Sequence, residues 1–272
     1  MRTPPDEGPG ASVATGSLEK TLRAARDKGQ KLLVPYVTGG MTGNWVDVVH
    51  AVAEAGADAV EIGIPFSDPM IDGPTIQRAS VMALEGGATP AKILDVLRRE
   101  EVGVPLAVMT YYNLVFRSGH RRFASALVDA GVSGAIVPDL PLEEAGEWRE
   151  AAEGAGVETV FLVAPSTPEE RALRICERSR GFLYGVGVMG VTGERAALAK
   201  SAAAVARRLK QITDLPVCIG IGVSTPAQAA EVCADADGVV VGSALVRRLI
   251  DGAGPEEAAR FVAELRSGID SV

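Results

Sequence analysis

One alternation, repeated eight times, constrains this chain more than any other feature. Short apolar runs rich in Val, Ile and Gly occur at 32–38, 57–64, 105–111, 134–140, 158–164, 181–188, 216–222 and 238–243. A helical pattern opened by Ser, Thr, Asn or Pro follows each, as in "NWVDVVHAVAEAG", "TPAKILDVLRRE" and "PEEAARFVAELRSG". The joints "EAGADAVEIGIP" and "DAGVSGAIVPDLP" even resemble one another. Strands that are apolar almost throughout are buried on both faces, which implies an all-parallel sheet covered by helices. Eight such units is the number that closes a (β/α)8 TIM barrel, with an open doubly wound sheet as the structural alternative. A length of 272 residues fits either as one domain.

Residues 1–16, "MRTPPDEGPGASVATG", read as a mobile tail ahead of a barrel domain spanning 17–272. Ser17 has the character of an N-cap, opening an extra amphipathic helix that Gly29 closes. The N-terminus lacks a basic start and an apolar stretch, so no secretory signal is expected. No run of 18 or more apolar residues occurs, and a cytoplasmic location is expected. A net charge of −8 argues against nucleic-acid binding but leaves room for a local anion pocket built from backbone N–H groups. Three widely spaced cysteines and two histidines, His50 and His120, give neither a disulfide framework nor a His-rich metal centre. No metal site is expected.

The segment "AVEIGIPFSDPMIDGPTIQ" breaks the apolar rule of its strand. Side chains alternate along a strand, so Val60, Ile62 and Ile64 form one face and Ala59, Glu61 and Gly63 the other. In a barrel the second face points inward, placing Glu61 in the mouth among small neighbours that leave space for a ligand. The plainer reading is a structural Glu paired with an Arg or with backbone N–H groups. Partial burial raises the pKa of a carboxyl, which suits a group that both gives and takes a proton. Asp68 and Asp72 follow in a loop stiffened by Pro65, Pro69, Gly73 and Pro74. Either could make a simple Asx-turn, but a loop leaving the same strand end can turn one carboxylate over the mouth and the other outward.

Three glycine-bearing strand ends suggest a seat for an anion: Gly193, then "GIGVS" at 220–224, then "VVGSALVRRL" at 240–249. Loops after the last two barrel strands and the N-terminus of a short extra helix commonly hold phosphate. "SALVRRLIDG" supplies such a helix, with Gly242 and Ser243 at its start. The formal G-x-G-x-x-G of "GVGVMG" does not lead straight into a helix, and Asp214 lies in a turn, so a dinucleotide fold is rejected. No lysine stands near a predicted strand C-terminus, Lys31 lying at the start of the first strand, which disfavours a Schiff-base aldolase.

Together "EIGIPFSDPMIDGPTIQ", "MTYYNLVF" at 109–116, "GVTG" at 190–193, "GIGVS" and "VGSA" resemble the tryptophan synthase α subunit family, in order, from about Leu18 to the C-terminus. The resemblance implies a (β/α)8 barrel that cleaves indole-3-glycerol phosphate to indole and glyceraldehyde 3-phosphate. It implies an αββα assembly with a tryptophan synthase β subunit that carries pyridoxal phosphate, and no cofactor in this chain. Matched residue by residue, Glu61 takes the place of the general acid/base and Asp72 that of the second catalytic carboxylate. Tyr111 and Tyr184 match the substrate pocket, and Thr192 a loop residue that meets the second carboxylate on closure. Gly193, Gly222, Gly242 and Ser243 match phosphate binders, while Pro65, Asp68 and Asn113 match positions facing the β subunit. The sequence departs from the family at Ile221, where many relatives carry Phe, at Met70-Ile71, and in the glycine-rich "GVGVMG".

Three other readings stay open at this level. The chain is a free-standing indole-releasing lyase, a catalytically silent barrel that regulates a partner, or a barrel isomerase acting on a phosphorylated sugar.

Overall fold

The computed structural model describes residues 16–187, 195–220 and 222–272, with the backbone alone at 195–200. Its strands are β1 (Leu32–Thr38), β2 (Val60–Gly63), β3 (Leu106–Met109), β4 (Val132–Ile136), β5 (Glu158–Val160), β6 (Leu162–Val163), β7 (Leu183–Val186), β8 (Val217–Gly220) and β9 (Gly238–Val241). All pair in parallel, in the order β5-β4-β3-β2-β1-β9-β8-β7-β6. The two ends of that order, β5 and β6, are halves of one stave separated only by Phe161. The covalent chain therefore closes the cylinder, and eight staves result.

The expected strand at 158–164 is thus interrupted. At the break the Phe161 N–H donates to Ser179 Oγ at 3.1 Å instead of joining a ladder, while its carbonyl accepts from Tyr184 N–H at 3.1 Å.

The eight expected crossover helices are α2 (Trp45–Glu54), α4 (Pro90–Leu97), α6 (His120–Asp129), α7 (Gly146–Ala155), α8 (Glu169–Arg178), α9 (Arg195–Lys210), α10 (Pro226–Cys233) and α12 (Pro255–Ile269). The expected extra helices are α1 (Ser17–Arg26) and α11 (Ser243–Ile250). Two more were not foreseen: α3 (Pro74–Glu85), directly after the Asp72 loop, and α5 (Tyr112–Ser118), directly after β3. None of the described helices is long and apolar enough to cross a membrane.

Two apolar layers follow from the alternation. Leu32, Val34, Ala59, Ala107, Ile136, Val160, Phe182, Cys218 and Val240 fill the cylinder. Leu33, Val60, Ile62, Val108 and Ile219 pack outward beneath the helices.

Helix α1 plugs the strand N-terminal end. Leu18 and Leu22 are wholly buried in the inner layer, and Leu18 reaches so close to Gly134 that a Cβ there would lie 2.6 Å from its methyl. Ser17 is not the N-cap. Gly16 holds that position without a side-chain cap, and the Ser17 hydroxyl donates to Ser133 Oγ at 2.7 Å. The first N–H groups of α1 are met from across the barrel by Glu158, whose carboxylate accepts from Leu18 N at 2.8 Å and Glu19 N at 2.9 Å. A carboxylate suits a helix N-terminus, where free N–H groups and the dipole favour negative charge. With this end filled by α1, the strand C-terminal end is the one left for a site, as is usual in such barrels.

Candidate active site

Glu61 lies on the inward face of β2, paired in register with Tyr36 of β1 and Ala107 of β3. It is fully buried, and neither carboxyl oxygen has a hydrogen-bond partner among the described residues. Among the described residues no arginine clasps it and no backbone N–H serves it, so they do not provide the pairing that a structural glutamate would require. Burial, and secondarily the negative charge of Asp72, raise its pKa to about 8.

The space expected beside it is arranged differently from the sequence reading. Gly63 does not leave an opening. The Tyr36 ring lies across it, so that a Cβ at 63 would fall 1.8 Å from the Tyr36 hydroxyl. The root of the same side chain lies near Gly242, where a Cβ would sit 3.6 Å from Tyr36 Cβ. Burial drives the Tyr36 phenol well up, and the nearby carboxylates of Asp72 and Glu61 add to the shift, so it stays protonated.

Asp72 ends the loop after β2, partly buried, its N–H bonded to Pro69 O at 3.2 Å. Burial raises its pKa to about 6, opposed by hydrogen bonding from Tyr111. Tyr111, buried at the end of β3, accepts the Ile71 N–H on its hydroxyl at 3.1 Å and stacks on Phe66 with ring centroids 5.0 Å apart. Its own pKa is pushed up to about 12, chiefly by burial. Tyr184, inward on β7, packs against Gly220, and its phenol is raised well above the usual value by burial and by Glu61. Two carboxyls and three tyrosines thus share one space.

Buried hydroxyls gather at the same end. The Oγ1 of Thr110, at the end of β3, is buried and lacks a partner among the described residues, and that of Thr38, at the end of β1, is buried with the Tyr36 hydroxyl beside it. Buried polar atoms are normally satisfied, so a concentration of exceptions around the end of β2 marks a place built for something other than packing.

Two of the three glycine-bearing strand ends expected to seat an anion lie among the described residues. Gly242 precedes α11 with no side-chain cap, leaving the first N–H groups of that helix unengaged by a cap, and Ser243 is exposed at its first position. Gly222 adopts φ +71°, a left-handed conformation that glycine takes without strain. Arg247 of α11 donates to Thr75 Oγ1 at 2.7 Å, fixing this helix against α3 and hence beside the Asp72 loop. Thr192, Gly193 and Ile221 lie outside the described residues.

Of the positions expected to face a partner, Asp68 and Asn113 are exposed, whereas Pro65 is buried in the free chain. Met70, Ile71 and Phe116 lie near them, 85%, 54% and 62% exposed. The sequence reading missed Tyr36, although the alternation along 32–38 turns it inward. It also missed Asp139, which bonds the backbone beside Tyr111.

The family model for the tryptophan synthase alpha chain matches residues 22–269. A tryptophan synthase alpha chain from Streptomyces coelicolor is 44% identical over 261 residues, covering 93% of this chain and 96% of the relative. One from Methanosarcina barkeri is 43% identical over 251 residues, covering 90% and 94%. Among solved structures, tryptophan synthase from Mycobacterium tuberculosis superposes with a TM-score of 0.87 at 39% identity, over 94% of this chain and 99% of that one. Tryptophan synthase subunit alpha from Legionella pneumophila gives 0.87 at 32% identity, over 95% and 100%.

Proposed function

The chain belongs to the tryptophan synthase alpha chain family, and from that premise we propose that Glu61 and Asp72 are the two groups that carry its lyase reaction. The reaction is a retro-aldol cleavage of indole-3-glycerol phosphate to indole and glyceraldehyde 3-phosphate, in tryptophan biosynthesis. Protonation of indole C3 turns the ring into an iminium-like electron sink. Loss of the proton from the adjacent chain hydroxyl then lets the carbon–carbon bond open, and that hydroxyl carbon becomes the aldehyde.

The observation that carries the assignment is that Glu61 lies buried on the inward face of β2 with neither oxygen partnered among the described residues, and with the Asp72 carboxyl close enough to act on it. Asp72 ionises at about 6 and Glu61 at about 8, so near neutral pH one is a carboxylate and the other an acid. Environments that push two carboxyls apart divide acid from base roles. Glu61 gives its proton to C3 and, once ionised, accepts the hydroxyl proton. The Asp72 carboxylate faces the indole N–H and stabilises the developing positive charge. Tyr111 and Tyr184 frame the ring. Gly222, Gly242, Ser243 and the α11 N-terminus favour binding of the phosphate, and the family resemblance adds Gly193 to that seat and assigns Thr192 to the same site. Anchoring that far end holds the reacting carbon in line. These steps call on no metal or organic cofactor in this chain.

The partner in this reading is a β subunit that carries pyridoxal phosphate, in an α2β2 assembly. Support comes from the apolar surface of Met70, Ile71 and Phe116, flanked by Asp68 and Asn113, beside the strand C-terminal end of the barrel. The test mixes the protein with indole-3-glycerol phosphate and measures indole with and without a β subunit. Slow release that accelerates strongly with the partner is expected, and Glu61→Gln abolishes it while leaving phosphate-ligand binding intact. Full activity in that variant removes Glu61 from its role; no acceleration by the partner removes the assembly.

A further inference from the structure

Asp139 stands outside the constellation described so far, in the loop after β4. Its Oδ1 accepts the backbone N–H of Tyr112 at 2.8 Å across 27 residues of chain. Tyr112 is the first residue of α5, and Tyr111 in the N-cap position provides no side-chain cap. The free N–H that a helix start must place somewhere is therefore held by a side chain from the neighbouring stave. The bond falls on the residue next to Tyr111. Tyr111 in turn holds the Ile71 N–H at 3.1 Å and keeps its hydroxyl beside the Asp72 carboxyl. A continuous path runs from Asp139 through the Tyr112 amide and the Tyr111 ring to the loop that presents Asp72.

We propose that Asp139 is a positioning residue for the lyase reaction, fixing Tyr111 and through it the Asp72 loop. The inference rests on the functional reading above and deepens it. Asp139 needs no contact with substrate. The loop is held from the α3 side by Gln77 Nε2, which donates to Asp72 O at 2.9 Å, and from the β3 side by the Tyr111 hydroxyl, which accepts the Ile71 N–H. Releasing the Tyr112 amide loosens the turn that aims Tyr111, and Asp72 then loses part of the hydrogen bonding that favours its ionised form.

The groups that bear on Asp72 are Glu61 on β2, Tyr36 on β1, Tyr111 after β3 and Tyr184 on β7. Near Asp139 itself stand the Tyr112–His120 pair, at 3.1 Å, and Arg171, which lines the same cleft of about 230 Å3. Arg171 is engaged with Glu143 at 2.8 Å.

The test is the pH profile of kcat/KM, measured as indole release by the full chain for wild type, Asp139→Ala, Asp139→Asn, Tyr111→Phe and the Asp139→Ala/Tyr111→Phe double variant. In wild type the acid limb reports Asp72. In Asp139→Ala that limb moves to higher pH, so activity falls about 3- to 10-fold near pH 6, the range set by one lost hydrogen bond, and recovers by about pH 8. Asp139→Asn keeps an acceptor oxygen and restores most of the limb. The double variant behaves as Tyr111→Phe alone, because both changes break one path. A uniform loss across pH, a lower melting temperature with an unmoved limb, or additive effects in the double variant overturns the proposal. If wild type itself releases no indole at any pH, the functional reading falls and this one with it. An active wild type whose limb ignores Asp139 removes this inference alone.

Discussion

Gly63 shows how closely one residue is bound to the chemistry. In the sequence it reads as a small neighbour making room beside Glu61; in the fold its missing Cβ makes room for the Tyr36 ring. The difference has a physical source. The 59–64 alternation is local and fixes which way each side chain points, but the register that sets Tyr36 against Glu61 is a long-range pairing that no local pattern encodes. A methyl group at 63 would stand 1.8 Å from the phenol oxygen. Tyr36 is 7% exposed, so its ring can yield only by displacing other packed groups. Gly63→Ala should therefore cost about 1–3 kcal/mol of stability, the usual range for overpacking. It should also cut kcat/KM more than 10-fold, because the displaced ring enters the space around the carboxyls. Denaturant melts and the indole assay check both, and near-wild-type values in each would show that the ring has room to yield.

Among the elements, the repeating strand–helix pattern was readable, and the two extra helices near the site were not. In α3 the buried residues are Ala79, Ser80 and Ala83, and in α5 only Val115 is buried. Neither therefore offers the apolar stripe by which a helix is recognised in sequence. Both are set by what surrounds them: α3 starts at Pro74 and meets α11, and α5 is capped from outside by Asp139. Helix α1 is the opposite case, with an obvious stripe and a destination the sequence did not specify. Its Leu18 fills the closed end of the cylinder at 0% exposure against Gly134 and Gly181. Leu18→Ala should leave a cavity that costs about 2–5 kcal/mol. The carboxyl pair sits at the far end of the same staves, so the folded fraction should keep the wild-type KM. Thermal melts alongside steady-state kinetics separate the two effects. A changed KM at unchanged stability would place α1 in contact with the catalytic end.

Across the whole molecule, the site imposes a pH dependence on stability that surface charge does not explain. Glu61, Asp72, Asp58 and Glu158 all have folded-state pKa values raised by burial, while Asp214, paired with Arg23, is lowered. For a carboxyl whose folded pKa is raised, the native state holds its proton when the unfolded chain has already lost it. Its contribution is then fully present below the unfolded pKa and is lost as pH rises through the folded one. For Glu61 that window runs from the ordinary glutamate value of 4.5 to about 8. Within it the native state binds one proton more than the unfolded chain, so stability falls by about 1.4 kcal/mol per pH unit from this group alone. Asp72 acts in the same sense over a narrower range ending near 6. The full chain should therefore melt several degrees lower at pH 8 than at pH 6. Glu61→Gln, which removes the titrating group and keeps the shape, should flatten that slope and melt above wild type at pH 8 while releasing no indole. Such a variant, more stable and inactive, is what a carboxyl kept for chemistry against the demands of burial predicts. If Glu61→Gln instead melts below wild type throughout the range, the carboxylate contributes to the fold and Glu61 does not hold a proton at neutral pH.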